Sequence, residues 1–396
     1  MKKQPFSHNL NLSINSRLAP GFTIVELLVV IVVIGILAAI TIVSYTGISS
    51  KAILASLQSD LTGASKQLKM FQVINGTYPT KNNCPNPGST EICLKSSPGN
   101  TLKYEPNPID YQTFNLTNTN ANDTNYRITD NSAPLSVALV CPLNFIVVPG
   151  SSTYGTSDFC VMKYGAKQFS ATVPISQAAG LPWTSISQTT SASYSPNVAN
   201  CTGCHLITEA EYLTIAQNVL KVGSNWSTGT VGSGYIYSGH NDNNPANAIA
   251  ADNNDSNGYA NTGNTSGNQL RTLTLSNGEV IWDLAGNVWE WTTGTSTTGQ
   301  PGVTGAGYAW RNWTTVTSLG SLSPNPFPTN TGIAGASTWT SSNGIGQIYS
   351  NADEAGLRGF FRGGTWNYGS YAGVLTLYLN YSPGAAAGGI GFRVSR

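Results

Sequence analysis

The run from Phe22 to Val43, FTIVELLVVIVVIGILAAITIV, constrains this chain more than any other stretch. As a helix it is long enough to cross a bilayer, which takes about 20 apolar residues. One charge interrupts it, Glu26. A carboxylate at bilayer depth costs roughly 3 kcal/mol, so it is retained where it has a partner or a task. The cations ahead of the run, Lys2, Lys3 and Arg17, set the orientation: this end stays cytoplasmic and the chain after Val43 is carried across. An exported chain meets an oxidising compartment, so Cys84, Cys93, Cys141, Cys160, Cys201 and Cys204 are expected as disulfides. Charged residues make up 9% of the chain, against a usual ~25%, and the net charge is +1. Neither nucleic acid nor an acidic surface is indicated as a partner.

A secretory signal has its small-residue cleavage site after the apolar run, whereas here the small residue, Gly21, stands before it. The order Gly21-Phe22-Thr23-Ile24-Val25-Glu26 behind a basic leader resembles type IV pilins and type II secretion pseudopilins. The resemblance implies that prepilin peptidase cuts between Gly21 and Phe22 and methylates the new amino terminus. Residues 1–21 would then be a leader. Glu26, fifth after the cut, would pair with the amino terminus of a neighbouring pilin subunit during assembly.

Beyond Val43 the helical pattern continues. Ile53, Leu57, Leu61, Ala64, Leu68 and Phe71 recur at spacings of three and four, one apolar stripe on a polar helix. A membrane and stalk helix over 22–74 is expected, ended by Asn75-Gly76 and then Pro79. Cys84 and Cys93 would close a short loop, and TLKYEPN, TFNLTNT and NYRITDN read as strands of a small headpiece over 75–135. Glu105-Pro106-Asn107 copies a sugar-binding tripeptide of calcium-dependent lectins, but three residues are weak evidence and a chance match is the expected reading.

A further unit is expected over 139–396. CPLNFIVVPG and DFCVMKYGAKQF read as strands, and Thr208-Glu209-Ala210-Glu211 is a capping box with Ile207 and Tyr212 placed as a staple. Tyr212, Ala216 and Val219 would line one face of the helix that follows, and Gly223 would stop it. From Ser224 to Thr340 the composition suggests loops held by aromatic packing. Cys141 with Cys160 is the favoured pairing among the later cysteines, which leaves Cys201 with Cys204; the other pairings stay open.

NGEVIWDLAGNVWEWTTG (277–294), FRGGTW (361–366) and GIGFRVSR (389–396) carry the most specific pattern after the N-terminus. Trp289 and Trp291 fall on one face of a strand, Val288 and Glu290 on the other. These blocks resemble the formylglycine-generating-enzyme variant of the C-type lectin fold, and more closely the variable proteins of diversity-generating retroelements. The resemblance spans 141–396 and implies ligand binding through a hypervariable C-terminal region. The fold class expected is therefore α+β: a long N-terminal helix, a small β headpiece and a loop-rich C-type-lectin-like domain.

Between Gly364 and Ile390, Leu375, Leu377 and Leu379 alternate with Thr376, Tyr378 and Asn380. Period two sends the leucines inward and the others to an exposed face. Asn367, Tyr368, Tyr371 and Tyr381 add aromatic and amide groups, the chemistry of antibody paratopes. Ala385, Ala386 and Ala387 complete the candidate ligand-binding set. The competing reading is that the tyrosines only stack on one another.

Catalysis is not expected. Formylglycine-generating enzymes bind copper through a cysteine pair in this region, but no cysteine follows Cys204, and Asn367 and Tyr368 follow Trp366. Cys201-Thr202-Gly203-Cys204-His205 matches a haem attachment pattern, with a structural disulfide the preferred reading. Asn253, Asp255 and Asn257 resemble the first half of a calcium loop, yet Asn264 stands where the bidentate glutamate would be; a polar turn is expected, calcium the alternative. No other cofactor is indicated. Together these readings imply a single-pass membrane protein at the cell surface or in a pilus, with its C-terminal domain outside the cytoplasm. Its partners would be other pilin subunits, the prepilin peptidase and a cell-surface protein or glycan. The alternative is a structural minor pilin or pseudopilin with no dedicated ligand.

Overall fold

The computed structural model describes residues 24–107, 111–120, 125–130, 133–137, 139–318 and 322–396. It divides into two compact units, 1–56 and 57–396. Helix α1 spans Ile24–Asn75. Before Lys51 only the side chains of Leu28 and Val33 are described, both exposed. The cleavage site Gly21-Phe22 and the Glu26 carboxylate lie outside the described residues. The side chains of nearly all of the expected membrane run also lie outside them; among the described residues no helix is long and apolar enough to cross a membrane.

In the second unit the helical stripe meets a sheet. Leu57, Leu61, Ala64 and Leu68 are buried, while Lys66, Lys69 and Met70 on the same helix are exposed. The sheet is an antiparallel meander of β1 (Asn100–Pro106), β2 (Phe114–Asn120), β3 (Asn125–Thr129) and β4 (Leu135–Val137). Its first three strands follow the three segments read as strands in the sequence, and β4 adds a fourth, three residues long. Asp60 ties the helix to the sheet, accepting from Ser97 N (2.9 Å), Ser97 Oγ (2.7 Å), Asn100 Nδ2 (2.8 Å) and Asn118 Nδ2 (3.1 Å). Burial alone would raise this carboxyl, but the donors win and hold it below its ordinary value.

The remainder is mixed, mostly sheet. Hairpins form from β5 (Phe145–Val148) with β6 (Phe159–Met162), from β7 (Lys167–Ser170) with β8 (Val173–Ile175), and from β10 (Thr272–Thr274) with β11 (Val280–Trp282). The two-residue strands β9 (His205–Leu206) and β18 (Val394–Ser395) extend the first hairpin into a sheet ordered β5-β6-β18-β9. The largest sheet has six strands: β12 (Trp289–Ser296), β13 (Ala309–Arg311), β14 (Ile348–Ser350), β15 (Arg358–Gly363), β16 (Gly373–Tyr378) and β17 (Ile390–Phe392), ordered β13-β14-β16-β15-β12-β17. The blocks singled out in the sequence thus become adjacent strands β15, β12 and β17. At Gly364 (φ +94°) a Cβ would stand 2.5 Å from that of Ala372, so β15 and the start of β16 approach as closely as they do only with glycine there.

Among the described residues two short α-helices complete the unit, α2 (Gln188–Tyr194) and α3 (Glu209–Leu220). The capping box on α3 is present in both directions, from Thr208 and Glu211. Rather than showing one apolar face, α3 is buried along its whole length save Ala210. It ends at Leu220 instead of Gly223, because the following segment takes its last carbonyls: Asn225 Nδ2 donates to Val219 O (2.8 Å) and Trp226 Nε1 to Leu220 O (3.0 Å). One apolar core packs α3 against Leu375, Leu377 and Leu379, and a second gathers Trp289, Trp291, Phe361 and Phe392.

Disulfides join Cys84 to Cys93, Cys141 to Cys160 and Cys201 to Cys204. Each of three fully buried arginines meets a carboxylate from elsewhere in the chain: Arg271 with Asp283, Arg362 with Glu209 and Arg393 with Glu290. Arg127 joins the headpiece to β5 and to the turn between β10 and β11: it donates to Phe145 O (3.0 Å) and ion-pairs with Glu279.

Candidate ligand-binding surface

β16 pairs with β15 along one edge and with β14 along the other, and its alternation divides the sheet. Leu375, Leu377 and Leu379 point into the core beside α3, as period two requires. On the other side Tyr378 stacks on Phe361 (ring centroids 4.8 Å apart, planes at 24°) and on Tyr349 (4.5 Å, 22°), and lies 5.4 Å from Trp289. Tyr381 and Tyr368 close on the same group, at 6.1 and 6.5 Å from Tyr378. Burial pushes the hydroxyls of Tyr368 and Tyr378 above the usual phenol range. They stay neutral and able to donate at physiological pH.

Trp310 on β13 carries the outer end of this array. Tyr371 lies parallel on it at 4.7 Å with 14° between the planes, and remains 40% exposed. Trp310 also meets Tyr349, Tyr368 and Tyr378 at 5.0–5.8 Å. Neighbouring Tyr308 stacks on Tyr349, its hydroxyl 2.8 Å from Glu354 Oε2 and 2.9 Å from Leu379 O, and burial pushes it up to about 12. Trp310, Tyr349 and Tyr308 precede the tail and were missed as site residues. The signal was the alternation Tyr308-Ala309-Trp310 and the lone Tyr349 between Ile348 and Ser350.

The other tail residues divide. Asn367 and Ala386 are exposed; Tyr368, Asn380, Tyr381, Ala385 and Ala387 are partly so. Thr376, expected on the exposed face, is fully buried. Its hydroxyl donates to Tyr371 O (2.6 Å), and the backbone at Gly346 covers it so closely that a Cβ there would lie 1.8 Å from Thr376 Oγ1. Thr376 holds the turn that presents Tyr371 and has no surface for a ligand.

The remaining candidates stand apart from this surface. With Cys201 and Cys204 bonded to each other, His205 serves the frame: Nε2 lies 3.1 Å from Glu211 Oε1 and 3.1 Å from Ser395 Oγ. The hydrogen bond with Glu211 raises the histidine above its usual value. Asp255 has both oxygens engaged, Oδ2 with Lys163 Nζ (2.6 Å) and Oδ1 with Trp282 Nε1 (2.8 Å), while Asn257 Nδ2 donates to Asp252 Oδ2 (2.7 Å). Among the described residues no group of three or more His, Cys, Asp or Glu side chains is arranged to hold a metal.

Comparison with known proteins bears mainly on the N-terminal end. Residues 17–42 match the prokaryotic N-terminal methylation motif. Over 60 residues the chain is 38% identical to Type II secretion system core protein G of Dickeya chrysanthemi, covering 15% of this chain and 39% of that one. Over 62 residues it is 39% identical to the Escherichia coli (strain K12) protein of the same name, covering 16% and 43%. A longer match, 29% over 103 residues, covers 24% of this chain and 66% of the Pectobacterium carotovorum subsp. carotovorum protein. The chain spans about two fifths of the length of the first of these relatives. Among solved structures it is similar to Major Tropism Determinant I1 Variant (16% identity, TM-score 0.29, covering 66% of this chain and 55% of that chain). It is also similar to Treponema denticola variable protein 1 (14% identity, TM-score 0.28, covering 67% and 96%).

Proposed function

We propose that this chain is a pilin-like subunit, anchored in the membrane by the helix after Phe22, that displays a C-type-lectin-like domain of the formylglycine-generating-enzyme type at the cell surface or in a filament. The domain binds a protein or glycan ligand through the aromatic surface around Tyr371. Adhesion or receptor binding is its task, and no catalysis is involved. Processing by prepilin peptidase and association with other pilin subunits follow from the methylation motif and the likeness to type II secretion core protein G.

The observation that carries the binding reading is the exposed Tyr371 ring laid flat on Trp310, at the edge of a continuous group of rings. Exposed aromatics backed by fixed rings offer a large contact area with little side-chain entropy left to lose. Asn367, Tyr368, Tyr378, Asn380, Tyr381 and Ala385 to Ala387 surround or flank it; Thr376 is withdrawn from the set. The test is a binding screen of the full chain in detergent micelles against cells and a glycan array, repeated with Tyr371→Ala. Loss of about 1–2 kcal/mol in binding with an unchanged melting temperature supports the reading. Equal binding by parent and variant places the ligand elsewhere. The likeness to core protein G also favours a second reading, a structural pseudopilin; there Tyr371→Ala changes nothing while Glu26→Ala abolishes assembly.

A further inference from the structure

The triplet Asn-x-Ser/Thr, with x other than proline, is the sequence through which sugar is attached to asparagine in exported chains. In a chain this rich in Asn, Ser and Thr it recurs, and the fold decides which copies could carry a glycan. Asn115 and Asn225 are buried. Asn75 Nδ2 donates to Phe71 O (3.0 Å), and Asn264 Nδ2 to Asp242 Oδ2 and Thr262 O (both 3.2 Å). Asn312 and Asn380 are half-buried, and Asn312 Oδ1 accepts from Ser341 N (2.9 Å) and Gln347 Nε2 (3.2 Å). Asn200 is exposed, but the residue between it and Thr202 is Cys201, closed into a disulfide.

Asn254 differs from all of these. Both it and Ser256 are exposed, and it caps the short turn Asp255–Asn257. Its Oδ1 accepts from Ser256 N (3.0 Å), and its backbone N donates to Asp252 Oδ1 (2.8 Å). The amide is thereby held from its oxygen end, and among the described residues nothing accepts from Nδ2, the atom to which sugar would be joined. The middle residue, Asp255, is pinned on the protein side by Trp282 Nε1 (2.8 Å) and Lys163 Nζ (2.6 Å), which fixes the turn to the fold. Asp252 stands two residues before Asn254, so the acceptor reads Asp-x-Asn-x-Ser, the acidic form favoured in bacterial transfer of sugar to asparagine. No other copy of the triplet in the chain has Asp or Glu at that place.

We propose that Asn254 carries an N-linked oligosaccharide, added outside the cytoplasm from a lipid-pyrophosphate-linked donor. Nδ2 forms a bond to C1 of the first sugar, the C1–O bond breaks with its electron pair leaving on the pyrophosphate, and an amide proton passes to a base of the transferase. The site rests on the reading of the chain as exported, and the test separates the two. The full chain is purified from membranes of the cells that make it and digested with trypsin without reduction. Peptide 222–271 holds Asn225, Asn254 and Asn264 and is sequenced by electron-transfer fragmentation, which leaves sugar on its residue. A mass containing hexose or hexosamine is expected on Asn254 alone. Asn254→Gln and Ser256→Ala each remove it with an unchanged melting temperature, Ser256→Ala keeping the backbone bond that holds the amide. The Cys141–Cys160 link in the same digest reports export. With that link present, the proposal is overturned by an unmodified peptide, by sugar on Asn225 or Asn264 instead, or by sugar that survives Asn254→Gln. A chain without the link fails the export reading, and the proposal falls with it.

Discussion

Arg393 offers a direct test of how the C-terminal strands are held. Its guanidinium is fully buried and makes four hydrogen bonds: Nε to Glu290 Oε2 (3.0 Å), Nη2 to Glu290 Oε1 (2.8 Å), Nη1 to Met162 O (2.7 Å) and Nη2 to Trp282 O (2.7 Å). Arg393→Met keeps most of the volume and strands one carboxylate and two carbonyls. Each carbonyl left without its donor costs about 1 kcal/mol or more. With the unpaired charge the total reaches about 3–5 kcal/mol, the usual cost of breaking a buried pair from one side. That is a large part of a stability of roughly 5–15 kcal/mol.

The loss depends on pH with a definite sign. Burial already raises the Glu290 carboxyl, and the Arg393 charge is the foremost influence opposing that rise. Without Arg393 the folded-state pKa climbs further above the unfolded one. A group raised in this way destabilises the fold by about 1.4 kcal/mol for each pH unit above its unfolded value, up to its folded value. Acidifying from pH 7 to 5.5 should therefore return up to about 2 kcal/mol to the variant relative to the parent. Adding Glu290→Met should restore most of the stability at pH 7, since an apolar pair can replace a buried ion pair. Urea unfolding in detergent, followed by the fluorescence of Trp282, Trp289 and Trp291, measures all three quantities. A deficit below about 1 kcal/mol at pH 7, or one that does not shrink on acidification, would refute the reasoning.

Glu26→Ala should leave the protein in the membrane fraction and remove it from sheared filaments; normal incorporation would count against the proposed pairing with a neighbouring amino terminus. Because the bond with Glu211 raises His205, its proton favours the folded state, an advantage present below the histidine's ordinary value and lost as pH rises through the raised one. The margin in melting temperature of the parent over His205→Gln should accordingly widen from pH 8 to pH 6, and a margin flat across that range would show the contact to be inert. Mass spectrometry of unreduced peptides should find Cys84–Cys93, Cys141–Cys160 and Cys201–Cys204 linked, with free thiol at any of them contradicting the arrangement.

Features that were legible in the sequence are those whose causes are local. The α3 cap involves residues three apart, and the disulfides close over separations of 9, 19 and 3 residues. The leucine row of β16 follows from its period because a half-buried strand has only two sides. What the period cannot tell is what lies over the second side. Thr376 is roofed by Gly346, and Tyr378 by rings from β12, β14 and β15, none of them neighbours in sequence. For the same reason Trp310 escaped notice: its significance comes from Tyr371 lying on it. The buried pairs were hidden too, since Glu209 and Arg362 show charge in the sequence but not partnership. Tyr378 is mainly a stacking residue, whereas Tyr371 stacks on one face and leaves the other open.

Two of the buried ion pairs stand at the ends of the candidate surface. Arg362, just before Gly364, is fastened to Glu209, and Arg393, just after Ile390, is fastened to Glu290. Between these fastenings the chain runs through the sheet as β16, whose leucines lie in the core, and its exposed residues, Asn367, Tyr371 and Ala386, stand on the segments either side of that strand. A substitution at Asn367, Tyr371 or Ala386 alters what the surface offers without moving the strands that carry it. The molecule thereby keeps its exposed residues apart from the buried pairs that hold its strands, so side chains on that surface can differ while the same fold is retained.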